Sequence, residues 1–167
     1  GLTLFSVEYS GSYRVFELLA FVFIGVAGGL TGAAFNALNV RWSGLRMSPG
    51  FRKRVHPILE VSLIALVTLL SSWPLEPLRP LSSETIHAMF GSCSSSYSQL
   101  KRRLGLCTGT DEYAEASWPL IASLLGASII RFFQTTLTFG TACPAGLFVP
   151  SLFTGACMGR CVGIIMR

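Results

Sequence analysis

Four long apolar stretches interrupt an otherwise polar chain. Residues 16–38 are interrupted only by Thr31 and Asn36, and Glu17 stands at their entrance. That length is enough to cross about 30 Å of hydrocarbon as a helix. A second stretch, 58–73, is shorter and sits between Pro57 and Pro74. Proline fits the first turn of a helix, so Pro57 predicts a start there. The third stretch, 118–138, follows Ser117, a residue type that caps helix starts, with Pro119 in the first turn. The fourth, 148–166, follows the Gly/Pro-broken run 140–147.

Between these spans the polar residues are unevenly distributed. Residues 39–55 carry Arg41, Arg46, Arg52, Lys53 and Arg54 with no acid. Residues 74–117 carry four basic and five acidic residues, a net charge of −1. The positive-inside rule therefore predicts a cytoplasmic loop at 39–55 and a lumenal or external loop at 74–117. Residues 83–90 within the second loop predict a short helix capped by Ser82 or Ser83. Residues 1–15 read as a connector.

Composition supports a polytopic membrane protein. Hydrophobic residues make up 51% of the chain and charged residues 13%, against about 25% charged in soluble domains. The mean hydropathy is +0.58. The net charge of +5 is concentrated in one short loop, so topology explains it and a nucleic-acid partner is not implied. No secretory signal pattern is present and the chain does not begin with Met, which predicts a segment of a longer protein. The fold class expected is all-α, with a broken, re-entrant helix before the last span.

The break before the last span carries the most chemistry. Pro144 and Gly146 interrupt helix, and Pro150 suits the first turn of a new one. The N–H groups of Leu147, Phe148 and Val149 are then free at a helix start, where the dipole is positive. Such a start holds an anion without a buried cation. Phe148 is expected to form an apolar wall. A plain turn between two spans competes with this reading.

Glycine spacing predicts close helix packing. Gly25, Gly28, Gly29 and Gly32 give two overlapping small-residue repeats, and Gly155, Gly159 and Gly163 give another. Cys157 and Cys161 lie on a neighbouring face and read as small core residues, not a metal site. Arg131, Gln134 and Arg160 are polar residues inside predicted spans, which marks them for function or for a buried network. His56 and His87 are isolated, and no zinc-ligand spacing includes them. Cys93 and Cys107 share the predicted lumenal loop, which predicts a disulfide if that compartment is oxidising. No nucleophile–base or paired-carboxylate arrangement suggests an enzyme.

The run 144–152, with Gly146-Leu147-Phe148-Val149-Pro150 at its centre and Gly155, Gly159-Arg160 and Gly163 after it, resembles the GxFxP helix of the CLC chloride channel and chloride/proton antiporter family. The run 25–39 is similar to another helix of that family, and the likeness extends over nearly all of the chain. It is nearest to the endosomal, lysosomal and plant vacuolar branches. The resemblance implies chloride transport, by a channel or by a chloride/proton antiporter with the antiporter favoured, in a homodimer in an intracellular membrane, with no cofactor. It also implies that the amides of Leu147 and Phe148 bind the anion, supported by Gly146, Val149 and Pro150. The family's GSGIP and G(K/R)EGP motifs, its proton glutamate, its late tyrosine and its CBS domains lie outside these residues, which implies a central part of a longer CLC chain. The competing function class is a membrane assembly subunit whose helices pack through glycine faces and conduct nothing.

Overall fold

The computed structural model describes residues 15, 17–50, 55–90, 93, 98–107 and 118–166. Ser117 and the charged run 52–54 lie outside these residues. Among them are six helices, a 3-10 turn at Glu76–Leu78 and no strand. The helices are α1 (Glu17–Met47), α2 (Pro57–Ser72), α3 (Ser82–Phe90), α4 (Ser98–Arg103), α5 (Trp118–Thr138) and α6 (Phe148–Ile165).

Three helices, α1, α5 and α6, are long and apolar enough to cross a membrane. α2 is apolar but shorter, with 16 residues, which spans about 24 Å at 1.5 Å per residue. Pro57 opens it, with His56 in an extended conformation just before. α5 ends at Thr138, where Gly140 takes φ +86°. That left-handed turn favours glycine, and a Cβ there would stand 3.3 Å from Ser43 Oγ.

α1 differs from the expectation. Helix continues nine residues past Leu38, through half of the basic segment 39–55. Nothing in 39–47 stops it: Gly44 is tolerated, and only Pro49 bars the helical conformation at Ser48. Ser48 closes the end by donating Oγ–H to Leu45 O at 2.8 Å. The basic segment is therefore not simply a solvated loop, because Arg46 is buried within the helix.

Two further differences concern caps and short helices. α3 starts at Ser82, one residue early, and Thr85 N–H bonds to Leu81 O. The Ser82 hydroxyl is not a cap, because it accepts a bond from Arg131 instead. α4 is a six-residue helix that no long apolar period announces.

One core gathers α3, α4, α5 and α6. Leu124, Ala127, Phe153 and Cys157 are fully buried there, beside Ile86, Met89, Leu106 and Leu120. The structure joins Cys93 to Cys107, with Cα atoms 6.0 Å apart, and both belong to this core. α1 adds no apolar residue to it; Arg46 is its only buried residue. Arg46 Nε lies 2.7 Å from Glu60 Oε1 on α2 as an ion pair. Its two Nη groups donate to Leu137 O and Phe139 O at the end of α5. Higher up, the Phe35 ring meets Phe132 and Phe139 edge-on.

Candidate functional site

The chain leaves α5 through Phe139 and Gly140, runs irregularly to Leu147, and enters α6 at Phe148. Leu147 stands at the cap position with φ −94° and ψ −21°, and no side chain caps the helix. Ser151 N–H bonds to Leu147 O and closes the first turn. The nearby hydroxyls turn back on the helix as well: Ser151 Oγ donates to Leu147 O and Thr154 Oγ1 to Pro150 O. The first-turn N–H groups of Phe148 and Val149 have no carbonyl one turn earlier to bond, and Pro150 has no N–H.

Two cavities meet at this helix start. The larger, about 660 Å³, lies between α2, α5 and the 145–150 segment. The smaller, about 250 Å³, lies between α1, α5 and α6. Leu147, Pro150 and Thr135 line both. Gly146 lines the larger one. Phe148 lines neither; its side chain is 67% exposed. Among the described residues the ring therefore walls neither cavity, because the first turn of α6 points it outward. Val149 packs instead against the core.

The larger cavity has a polar wall built from α5. Gln134 is buried and cross-links α5 to α2, donating Nε2–H to Ser71 Oγ at 2.8 Å, Ser72 Oγ at 3.0 Å and Thr68 O at 3.3 Å. Arg131 donates to Ser82 Oγ at 2.8 Å and to Gln134 Oε1 at 3.4 Å. Its guanidinium lies over the Phe153 ring, 5.1 Å from the centroid. α2, α6 and the start of α3 thus converge on two α5 side chains.

The glycine faces are open. A Cβ built on Gly25, Gly28, Gly29, Gly32, Gly155, Gly159 or Gly163 meets nothing within 4 Å. Gly28, Gly32 and Gly155 line the smaller cavity. No helix among the described residues packs on these positions at glycine distance. The spacing leaves room for a close neighbour but does not say which helix takes it.

The remaining marked residues are dispersed. Cys157 and Cys161 are buried in the core; Cys157 Sγ is 3.7 Å from Met89 Sδ, and Cys161 Sγ is 3.9 Å from Ile121 O. No group of three or more His, Cys, Asp or Glu with metal-site geometry occurs among the described residues. Exposed His56 precedes α2, and His87 lies in α3. Lys101 of α4 is almost fully buried. Burial pushes its ammonium below the ordinary lysine range, and the positive charge of Arg160 pushes it further. Sequence reasoning missed the pair Arg46–Glu60. The signal was present: a single carboxylate at the start of an apolar helix, just after a segment of five cations.

The family sequence model for voltage gated chloride channels matches residues 1–167. Among relatives, the human H(+)/Cl(-) exchange transporter 3 is 36% identical over 179 residues, covering 99% of this chain and 21% of the relative. The rabbit (Oryctolagus cuniculus) H(+)/Cl(-) exchange transporter 5 is 33% identical over 178 residues, covering 99% and 21%. The guinea-pig (Cavia porcellus) H(+)/Cl(-) exchange transporter 5 is 32% identical over 178 residues. This chain spans about a fifth of the length of these relatives.

Proposed function

The chain belongs to the voltage gated chloride channel family, and from that membership we propose that it supplies part of the chloride pathway of a chloride/proton exchanger. The carrying observation is the start of α6. It has no side-chain cap and it borders two cavities, with Leu147 and Pro150 lining both. A chloride ion arriving there exchanges part of its water shell for the N–H groups of Leu147 and Phe148. The α6 dipole adds a favourable positive end, worth about 0.3–2 kcal/mol depending on burial. Gly146 and Pro150 fix the backbone so that these donors point outward, and Val149 anchors the turn in the core. Neutral donors hold an anion without the tight grip of a paired cation, which suits a site that must also release it.

The relatives, H(+)/Cl(-) exchange transporters by name, support exchange with protons over a passive channel. The same likeness supports an intracellular membrane and a homodimer, each subunit with its own pathway. Segment 39–55 then faces the cytoplasm and 74–117 the lumen. The open glycine faces receive helices of the same transporter that lie outside these residues. An assembly subunit without a pathway gains no support from an uncapped helix start between two cavities.

The test is chloride affinity of the intact transporter. Phe148→Pro removes one donor and should weaken binding by about 1–3 kcal/mol, the worth of a hydrogen bond to a charged group. Leu147→Ile keeps the backbone and should leave affinity nearly unchanged. Parent-like binding and transport by Phe148→Pro would reduce the 146–150 element to a turn.

A further inference from the structure

We propose that Arg131 makes the larger cavity a chloride-holding station in its own right, distinct from the amides at the start of α6. This rests on the transport reading above and adds a second place where the ion dwells.

Depth is the first consideration. Arg131 is well inside the 21-residue α5, about 20 Å from Trp118 along the axis and about 10 Å from Thr138. A cation at such depth is costly and needs a partner. Its partners here are all neutral: the Ser82 hydroxyl, the Gln134 carbonyl and the Phe153 ring. Nε is buried and has no hydrogen-bond partner. No carboxylate stands within ion-pair distance of it among the described residues.

The buried arginine of α1 provides the contrast to this partly buried one. Arg46 is matched by Glu60 at 2.7 Å. On the cavity's own wall, Arg79 is matched by Glu76 at 3.7 Å and lies over Trp73. Among the described residues no Asp or Glu lines the cavity. Arg131 is therefore the cavity-lining cation whose charge no described residue balances.

The cavity offers space as well as charge. Its volume of about 660 Å³ holds an anion together with several waters, each occupying about 30 Å³. Thr135 and Thr138 already donate their hydroxyl hydrogens to helix carbonyls, and Gln134 Nε2 is committed to α2. The guanidinium is thus the strong attraction for an anion on that wall. The occupant it fits is a small monovalent anion that keeps part of its hydration. Because Leu147 lines the same cavity, the ion passes from the guanidinium to the helix start without leaving it.

The experiment is the chloride dependence of transport by the intact protein reconstituted in liposomes. Arg131→Gln should raise the half-saturating chloride concentration about tenfold, the effect of one unscreened charge at this range. Arg131→Lys should restore most of that affinity, whereas a purely packing role would be lost equally in both. Thr138→Glu leaves Arg131 in place and sets an opposing charge in the cavity. It should raise half-saturation similarly, and Thr138→Gln should not. This arm keeps the test intact if Arg131→Gln does not assemble. Parent-like half-saturation in Arg131→Gln, equal loss in Lys and Gln, or no effect of Thr138→Glu would each overturn the proposal. Phe148→Pro measured in parallel separates the two readings. If it loses affinity while the Arg131 variants do not, only the second station falls; if it too behaves as the parent, the transport reading falls.

Discussion

α1 and α5 are both apolar helices, yet they lead opposite structural lives. α1 is the more hydrophobic, but none of its most apolar stretch is buried, whereas 39% of that of α5 is. The difference is one of pattern. Buried Leu120, Leu124, Ala127, Ser128 and Gln134 recur on one side of α5, the stripe that a neighbour can cover. Along α1, apolar residues surround the axis and glycines stand open. Hydropathy measures compatibility with lipid. Periodicity and polar hooks decide which helices this chain holds together by itself.

Breaking the hook on α1 should have the largest effect. Arg46→Met leaves Glu60, only 19% exposed, without its cation and two α5 carbonyls without a donor. Loss of one partner of a buried pair costs about 3–5 kcal/mol. A double-mutant cycle with Glu60→Gln, read as thermal stability in detergent, should recover part of that loss. Independent, additive effects would show that the pair does not hold α1.

Leucine truncation tests the two helices directly. Leu124→Ala empties a fully buried site and should cost about 2–5 kcal/mol. Leu30→Ala, at a side chain 67% exposed, should cost far less. Equal losses in the intact transporter would mean that helices outside these residues cover α1 as tightly as the core covers α5.

Removing the Cys93–Cys107 bridge comes next. The loop it closes spans a sequence separation of 14, for which the chain-entropy argument gives about 2–4 kcal/mol. Cys93→Ser with Cys107→Ser should lower the melting temperature, and a reductant should leave the double variant unaffected. Lack of any shift would detach the bridge from core stability.

The smallest effect is a pH dependence. Lys101 has its affinity for a proton lowered by burial and by Arg160. The unfolded chain then binds more protons than the folded one between that lowered value and the ordinary 10.5. Stability should rise with pH across this window, and Lys101→Met should flatten the rise. A slope unchanged by the variant would assign it elsewhere.

Much of the helical layout was readable from residues. Pro119 and Gly140 bracket the α5 stretch, and Pro144, Gly146 and Pro150 bracket the start of α6. The extension of α1 was not readable, because clustered cations signal a loop equally well, and only Pro49 marks where helix ends. The direction of the Phe148 ring was hidden too, since it depends on the rotation of α6 against the core. Glycine spacing showed where a helix is able to come close and carried no information about its partner. Arg131 was marked as an intramembrane cation, but its lack of an acid and its place on a cavity wall are properties of three dimensions.

The clamp around Arg46 also sets a timetable for synthesis. Glu60 lies 14 residues beyond Arg46 in the chain, whereas the carbonyls of Leu137 and Phe139 lie 91 and 93 residues beyond it. At about 5–20 residues per second on the ribosome, Glu60 follows within about 1–3 s and the carbonyls only after roughly 5–20 s. During that interval α1 must persist in the bilayer on its own hydropathy, joined at most to α2. A defect at Arg46 should therefore surface first in the nascent protein, as a paused or wrongly inserted helix pair handed to quality control before any ion is carried.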